Sequence, residues 1–152
     1  MSGSLPTDPA ALLSGTAPMV FRLNGRFLEI SERLARPAGL TAAWWQVLGA
    51  VLREPLPVAW IARAMGITRQ SVQRIADLLV DKGLAEYRPN PAHARAKLVA
   101  PTAAGREAVT RISPGHRALA EQLANELGIE GFQQAMSALR RLSDALDSIE
   151  QP

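Results

Sequence analysis

The chain has no cysteine among its 152 residues, which excludes a disulfide scaffold and any thiolate metal site. It has two histidines, His93 and His116, too few for a transition-metal cluster, so no metal or other cofactor is expected. No apolar run approaches the ~18 residues of a membrane span. The N-terminus lacks a basic segment followed by an apolar one. These two absences lead to the expectation of a cytoplasmic protein with no membrane partner. There is no nucleophile, base and orienting group in a recognisable set, and no glycine-rich phosphate loop, so an enzyme is not expected. Neither sign of charge predominates: 17 basic and 14 acidic residues leave a net of only +3.

What is present fits one soluble globular domain: 47% apolar and 20% charged residues in a chain long enough for a core. The organising stretch is Val58 to Leu84. Val58, Ile61, Ala62 and Met65 recur at i, i+3, i+4 and i+7, one apolar helical face. Gly66 breaks that helix, and Thr68 has the hydroxyl of a good N-cap for the next. The second helix repeats the pattern with Val72, Ile75, Ala76 and Leu79, and Lys82-Gly83 suits its end. Its outward side carries Arg69, Gln70, Ser71, Gln73 and Arg74. Arginine can pair with guanine and glutamine with adenine, and serine suits base or phosphate. A helix-turn-helix puts the start of its second helix in the major groove, where those edges lie. The plainer reading is two packed helices with a solvated face.

Ala85–Arg88 and Ala96–Ala100 predict a β-hairpin, joined by the turn-rich Pro89-Asn90-Pro91-Ala92-His93-Ala94-Arg95. A hairpin directly after a recognition helix reads as a wing. Arg95 at its tip is placed for a minor groove, with Arg88 and Lys97 on the phosphates. Val58–Ala100 holds seven basic and three acidic residues, a net of +4 in a chain whose total is +3, so the remainder is −1. That concentration is the electrostatic footprint a phosphate backbone calls for.

At this point the sequence resembles the multiple-antibiotic-resistance-regulator (MarR) family. Ile61-Ala62 with Gly66-Ile67, Arg69-Gln70-Ser71-Val72 and Leu79-Val80-Asp81-Lys82-Gly83-Leu84 carry the resemblance. Arg95-Ala96-Lys97-Leu98-Val99 and Pro101-Thr102-Ala103-Ala104-Gly105 add to it, and the likeness runs from about Pro18 to Ile149. Two positions depart from the family's pattern. His93 stands where the wing often has Asp, and a neutral imidazole cannot hold Arg95 by an ion pair; Pro101 replaces the usual Leu.

Around this reader, residues 1–17 are rich in Ser, Gly, Pro and Thr and predict a mobile tail, in which Ala10–Leu13 could begin a helix. Pro18 suits a first helical turn. Val20, Leu23, Phe27, Ile30 and Leu34 then form a stripe in steps of three and four, ended by Pro37 and Gly39. Thr41 caps a helix bearing Trp44, Trp45, Val47, Leu48, Val51 and Leu52; Pro55 and Pro57 bracket an extended link. Thr102 opens a long helix that Pro114-Gly115 should kink or break and Gly128 should end. The last helix carries Phe132, Met136, Leu139, Leu142, Leu146 and Ile149. The fold class is therefore mainly α with a small β-hairpin wing. A winged helix-turn-helix over residues 40–100 (helix-turn-helix 58–83, wing 85–100) is flanked by dimerisation helices at 18–36 and 102–150. The terminal stripes need a partner surface, and the economical one is a second copy; an intramolecular bundle is the alternative.

The expected function is sequence-specific binding of double-stranded DNA by a homodimer on a pseudo-palindromic operator with half-sites ~10 base pairs apart. Thr68, Arg69, Gln70, Ser71, Gln73, Arg74, Arg88, Arg95 and Lys97 form the interface, with Arg63 a further backbone contact. The resemblance implies the same dimer, repression as the mode of action, and a small aromatic or phenolic effector bound between the dimer helices and the reader. Trp44 and Trp45 fall where such a pocket would be lined, although as ordinary core residues they need no ligand. The competing function is a winged-helix module that meets a protein partner without reading DNA.

Overall fold

Asp8 starts the first helix. In the computed structural model, which describes residues 3–150, its carboxylate accepts from the Ala11 N–H at 3.0 Å, and Pro9 occupies the first helical position, where a missing N–H costs nothing. Helix α1 accordingly spans Pro9–Ala35. This corrects the expected tail over residues 1–17: from Pro9 onward that segment is helical, and Pro18 lies inside the helix rather than at its start. A cap carboxylate next to an N-terminal proline outweighs the Ser/Gly/Pro composition of the segment. Met1 and Ser2 lie outside the described residues.

A short 3₁₀ turn, Arg36–Ala38, and Gly39 end α1. Helix α2 (Ala42–Ala50) is capped twice: Thr41 Oγ1 accepts from the Trp44 N–H at 3.1 Å, and Glu32 Oε1 of α1 accepts from the Ala42 N–H at 2.9 Å. Strand β1 (Leu56–Pro57) leads into α3 (Val58–Met65) and α4 (Arg69–Asp81), followed by β2 (Ala85–Arg88) and β3 (Leu98–Pro101). The three strands form an antiparallel sheet in the order β1-β3-β2. Leu56 pairs with Val99 and Tyr87 with the same Val99 from the other side. The link between Pro55 and Pro57 is therefore a strand, not only an extended connection, and its proline is tolerated at a sheet edge. The second wing strand starts at Leu98 instead of Ala96, which leaves Ala96 and Lys97 in the connecting segment.

The chain divides into two compact units, 1–112 and 113–152. The first holds α1 to β3 and the opening turns of α5 (Ala103–Glu150). Leu48, Ile61, Leu79, Val47, Val51, Val72 and Val99 are its largest fully buried side chains, and Ala108 and Ile112 of α5 join them. Each buried aliphatic of this size contributes roughly 1.5–3 kcal/mol. The stripes read from the sequence on α3 and α4 are the ones buried: Ile61 and Ala62, then Val72, Ile75, Ala76 and Leu79. Among the described residues no polar or charged residue is buried.

The second unit is the rest of α5. Pro114 does not break it: the helix continues through Pro114-Gly115, losing one backbone hydrogen bond. The interruption comes at Gly128, with φ 73° and ψ 158°, a conformation that only glycine adopts without strain. Its apolar side chains are largely uncovered: Leu127, Ile129, Met136, Leu139, Leu146 and Ile149 are exposed. Among the described residues no helix is long and apolar enough to cross a membrane.

Candidate nucleic-acid interface

The turn between α3 and α4 is built from three residues. Gly66 takes φ 68° and lets the chain reverse, its N–H closing onto Arg63 O at 3.3 Å. Ile67 N–H bonds Ala62 O at 3.1 Å. Thr68 then caps α4: its Oγ1 accepts from the Ser71 N–H at 3.1 Å and its hydroxyl donates to Ser71 Oγ at 2.9 Å. Thr68 and Ser71 thus act first on each other, which fixes the start of α4. Arg69, Gln70, Gln73 and Arg74 are all exposed, as their place on the face opposite Val72 and Ile75 requires.

The wing brings further cations to the same side. Arg69, Gln70 and Gln73 of α4, Tyr87 of β2, and Arg95, Ala96 and Lys97 of the wing connection line one open groove of about 610 Å³. Pro57, Val58 and Ala59 form its apolar floor, and Asp77 is its one acidic residue. Lys97 stands over the Tyr87 ring at 5.9 Å, an attraction of ammonium for the ring face that orders the lysine. The tip is held by its own turns: Asn90 Oδ1 accepts from Ala92 N–H at 3.0 Å, Asn90 O from His93 N–H at 3.2 Å, and His93 O from Ala96 N–H at 3.1 Å. An asparagine turn therefore shapes the tip. Arg95 stays exposed, and among the described residues its guanidinium has no carboxylate partner.

The remaining expected residues are placed differently. Arg88 is bound by Glu86 on the same strand, Nη2 to Oε1 at 2.8 Å and Nε to Oε1 at 2.9 Å, so it is not a free cation, and it does not line the groove. Arg74 is exposed but outside the groove lining. Arg63 lies over the Trp60 ring at 5.4 Å. Trp44 and Trp45 are half-buried and pack against the core cluster that includes Val47, Leu48 and Val51. Neither tryptophan lines the groove.

One cluster escaped the sequence reading. Gln73 Nε2 donates to Asp77 Oδ1 at 3.0 Å and to Tyr87 Oη at 2.9 Å, while the Tyr87 hydroxyl donates to the same Asp77 oxygen. Burial, reinforced by the Asp77 carboxylate, pushes the Tyr87 phenol well above its ordinary value of about 10. The Gln73–Asp77 half of this cluster was legible as a glutamine and an aspartate four apart on one helix. The Tyr87 half depends on how β2 packs on α4, which no local pattern reports.

Comparison with known proteins gives a single direction. The family model for the MarR family matches residues 38–96. An uncharacterized protein of Mycobacterium tuberculosis (strain ATCC 25618 / H37Rv), Rv2011c, is 38% identical over 127 residues, covering 84% of this chain and 89% of that protein. The M. tuberculosis transcriptional regulator MOSR, solved in complex with DNA, superposes with a TM-score of 0.75 at 21% identity, over 89% of this chain and 98% of that one. A mutant MarR from E. coli, complexed with operator DNA, superposes with a TM-score of 0.75 at 20% identity, over 90% of this chain and 99% of that one. The helix-turn-helix, the wing and the flanking helices share the fold of these structures, and the chain belongs to the MarR family.

Proposed function

We propose that this protein binds double-stranded DNA sequence-specifically as a homodimer and acts as a transcriptional repressor. The observation that carries the reading is the groove in which the start of α4 and the wing present Arg69, Gln70, Arg95 and Lys97 together. Side chains for base edges and side chains for phosphates converge there, as a winged helix on duplex DNA needs. The DNA complexes of MOSR and of E. coli MarR support the same use of this fold. Arg69, Gln70 and Arg74 read bases, Arg95 enters the minor groove, and Lys97 meets phosphate. Arg88, paired with Glu86, contributes less than its charge suggests. Uncovered apolar side chains support the dimer: Phe21, Phe27 and Leu28 on α1, and Met136, Leu139 and Leu146 on α5. Repression, and release by a small aromatic effector, rest on the family.

Fluorescence anisotropy tests the reading, with duplex DNA from upstream of the coding region compared with a scrambled duplex at two salt concentrations. The expected result is a preference of ~10³-fold or more for one duplex, with a salt slope that counts the phosphate contacts. Equal affinity for both duplexes would overturn sequence reading on that DNA.

Exposed Trp60, 59% accessible, and Ile67 favour a second reading, in which the helix-turn-helix offers an apolar anchor to a protein partner. Two substitutions separate the readings. DNA regulation predicts that Arg69→Ala abolishes function while Trp60→Ala spares it, and a protein-docking face predicts the reverse.

A further inference from the structure

Lys97 and Asp77 line the same groove with opposite charges, yet they are kept apart. Among the described residues neither makes an ion pair. Tyr87 is bonded to both. Its hydroxyl donates to Asp77 Oδ1, and its ring takes the Lys97 ammonium at 5.9 Å. Asp77 lies on α4, four residues after Gln73. The Gln73 amide nitrogen backs the pair with an N–H directed between the two oxygens, 3.0 Å from Asp77 Oδ1 and 2.9 Å from Tyr87 Oη. Tyr87 is on β2 and pairs with Val99 of β3. Lys97 comes two residues before Val99, so the two-residue period puts it on the Tyr87 side of the sheet. The phenol keeps its proton and can donate it, because burial and the Asp77 carboxylate both oppose ionisation.

Lysine has a flexible four-carbon stem, and an open carboxylate in the same groove competes for its ammonium through a charge-assisted bond. An ammonium held that way no longer meets a phosphate. Resting on the DNA-binding function above, we propose that Tyr87 is a positioning residue that keeps Lys97 available to phosphate. It engages the one carboxylate of the groove through its hydroxyl and seats the ammonium on its ring, so that the acid does not capture the cation. An acidic side chain is thereby accommodated on a face that meets a polyanion.

The test is anisotropy titration of the full chain against the upstream and the scrambled duplex over a range of salt, with Tyr87→Leu read in three backgrounds. In the otherwise unchanged chain, Tyr87→Leu is expected to weaken binding about fivefold and to lower the salt slope by about one per reader, as Lys97→Gln does. The loss is the same on both duplexes, because a phosphate contact carries no sequence information. Asp77→Asn keeps the shape of the acid and removes the charge that would capture the ammonium. In a chain carrying it, Tyr87→Leu costs under about twofold. In a chain carrying Lys97→Gln it again costs under about twofold, because no ammonium is left to place. Tyr87→Phe, which keeps the ring and loses only the hydroxyl, follows the same pattern with a smaller loss. A purely structural role for Tyr87 would give one common loss in all three backgrounds with the salt slope unchanged, and that result overturns the proposal. So does a Lys97→Gln variant with the affinity and salt slope of the wild type. A wild type that binds neither duplex at any salt overturns the DNA-binding function itself and the proposal with it, an outcome distinct from the other two.

Discussion

Among the described residues Arg95 has no carboxylate beside it at the tip of the wing, and the turn beneath it is shaped by Asn90. A guanidinium so placed responds to the deep negative potential of a narrow minor groove. Arg95→Ala is therefore expected to weaken binding about tenfold on duplexes with A·T-rich flanks and much less on G·C-rich ones, as measured by anisotropy. Equal loss on both would make Arg95 a phosphate contact only. Thr68 has a different task. It caps α4 and holds Ser71, so Thr68→Ala should lower stability by ~1 kcal/mol in denaturant unfolding, even without DNA. Tyr87 supplies a pH signature. Its native pKa is raised above the unfolded one, so the native state keeps a proton that the unfolded chain gives up. The stability this provides is intact below about pH 10 and is lost as the pH climbs through the raised native value. Tyr87 is the only tyrosine, so tyrosinate absorbance reports it directly. Its titration midpoint should lie well above that of the urea-unfolded chain, and Asp77→Asn should bring the two closer.

At the scale of elements, what was legible in the sequence is what local chemistry decides. The apolar steps of α3 and α4, the reversal at Gly66 and the cap at Thr68 all fall within a few residues of the structure they produce. Gly128 was legible for the same reason. The start of α1 was misplaced because bulk composition was weighed above the single Asp8-Pro9 signal. Pro114 was overrated as a breaker, since one lost hydrogen bond in a long helix is carried by the turns on either side. Strand β1 has two residues and gains its partners some forty positions later, beyond the reach of any local pattern. In the candidate site, Arg69, Gln70, Arg95 and Lys97 were foreseen, whereas the pairing of Arg88 with Glu86 and the role of Tyr87 required the sheet register. The junction between wing and α5 is equally non-local. Thr102 Oγ1 donates to Gly83 O at 2.6 Å and accepts from Gly105 N–H at 3.1 Å, and a Cβ at Gly105 would run into the Leu84 carbonyl oxygen. Gly105→Ala is expected to cost ~1–3 kcal/mol in thermal or denaturant unfolding, well beyond an ordinary helical glycine substitution, which usually stabilises.

For the whole molecule, the decisive question is what covers the exposed apolar side chains. Leu139 is 47% accessible and lies on the second unit, so a charge there does not disturb the core of the first. If a second copy covers this surface, Leu139→Glu yields a folded monomer by sedimentation equilibrium. Its affinity for a two-half-site duplex then falls by ~100-fold or more, because the two readers are no longer linked. A variant that remains dimeric and binds normally would place the interface elsewhere.

The sheet order has a kinetic consequence. Strand β3 is hydrogen-bonded on both sides, to β1 just ahead of α3 and to β2 just after α4, whereas the bonds of Ala92, His93 and Ala96 stay within the tip. The base of the wing is thus anchored at the entrance and the exit of the helix-turn-helix, and its freedom is confined to the segment between Arg88 and Leu98. In hydrogen exchange, the paired amides of β3 should exchange with the slow core of the first unit and those of the tip orders of magnitude faster. If the protein docks on a duplex as proposed, the wing then has to order only a short lever whose pivot is already set, beside an α4 that is fixed beforehand.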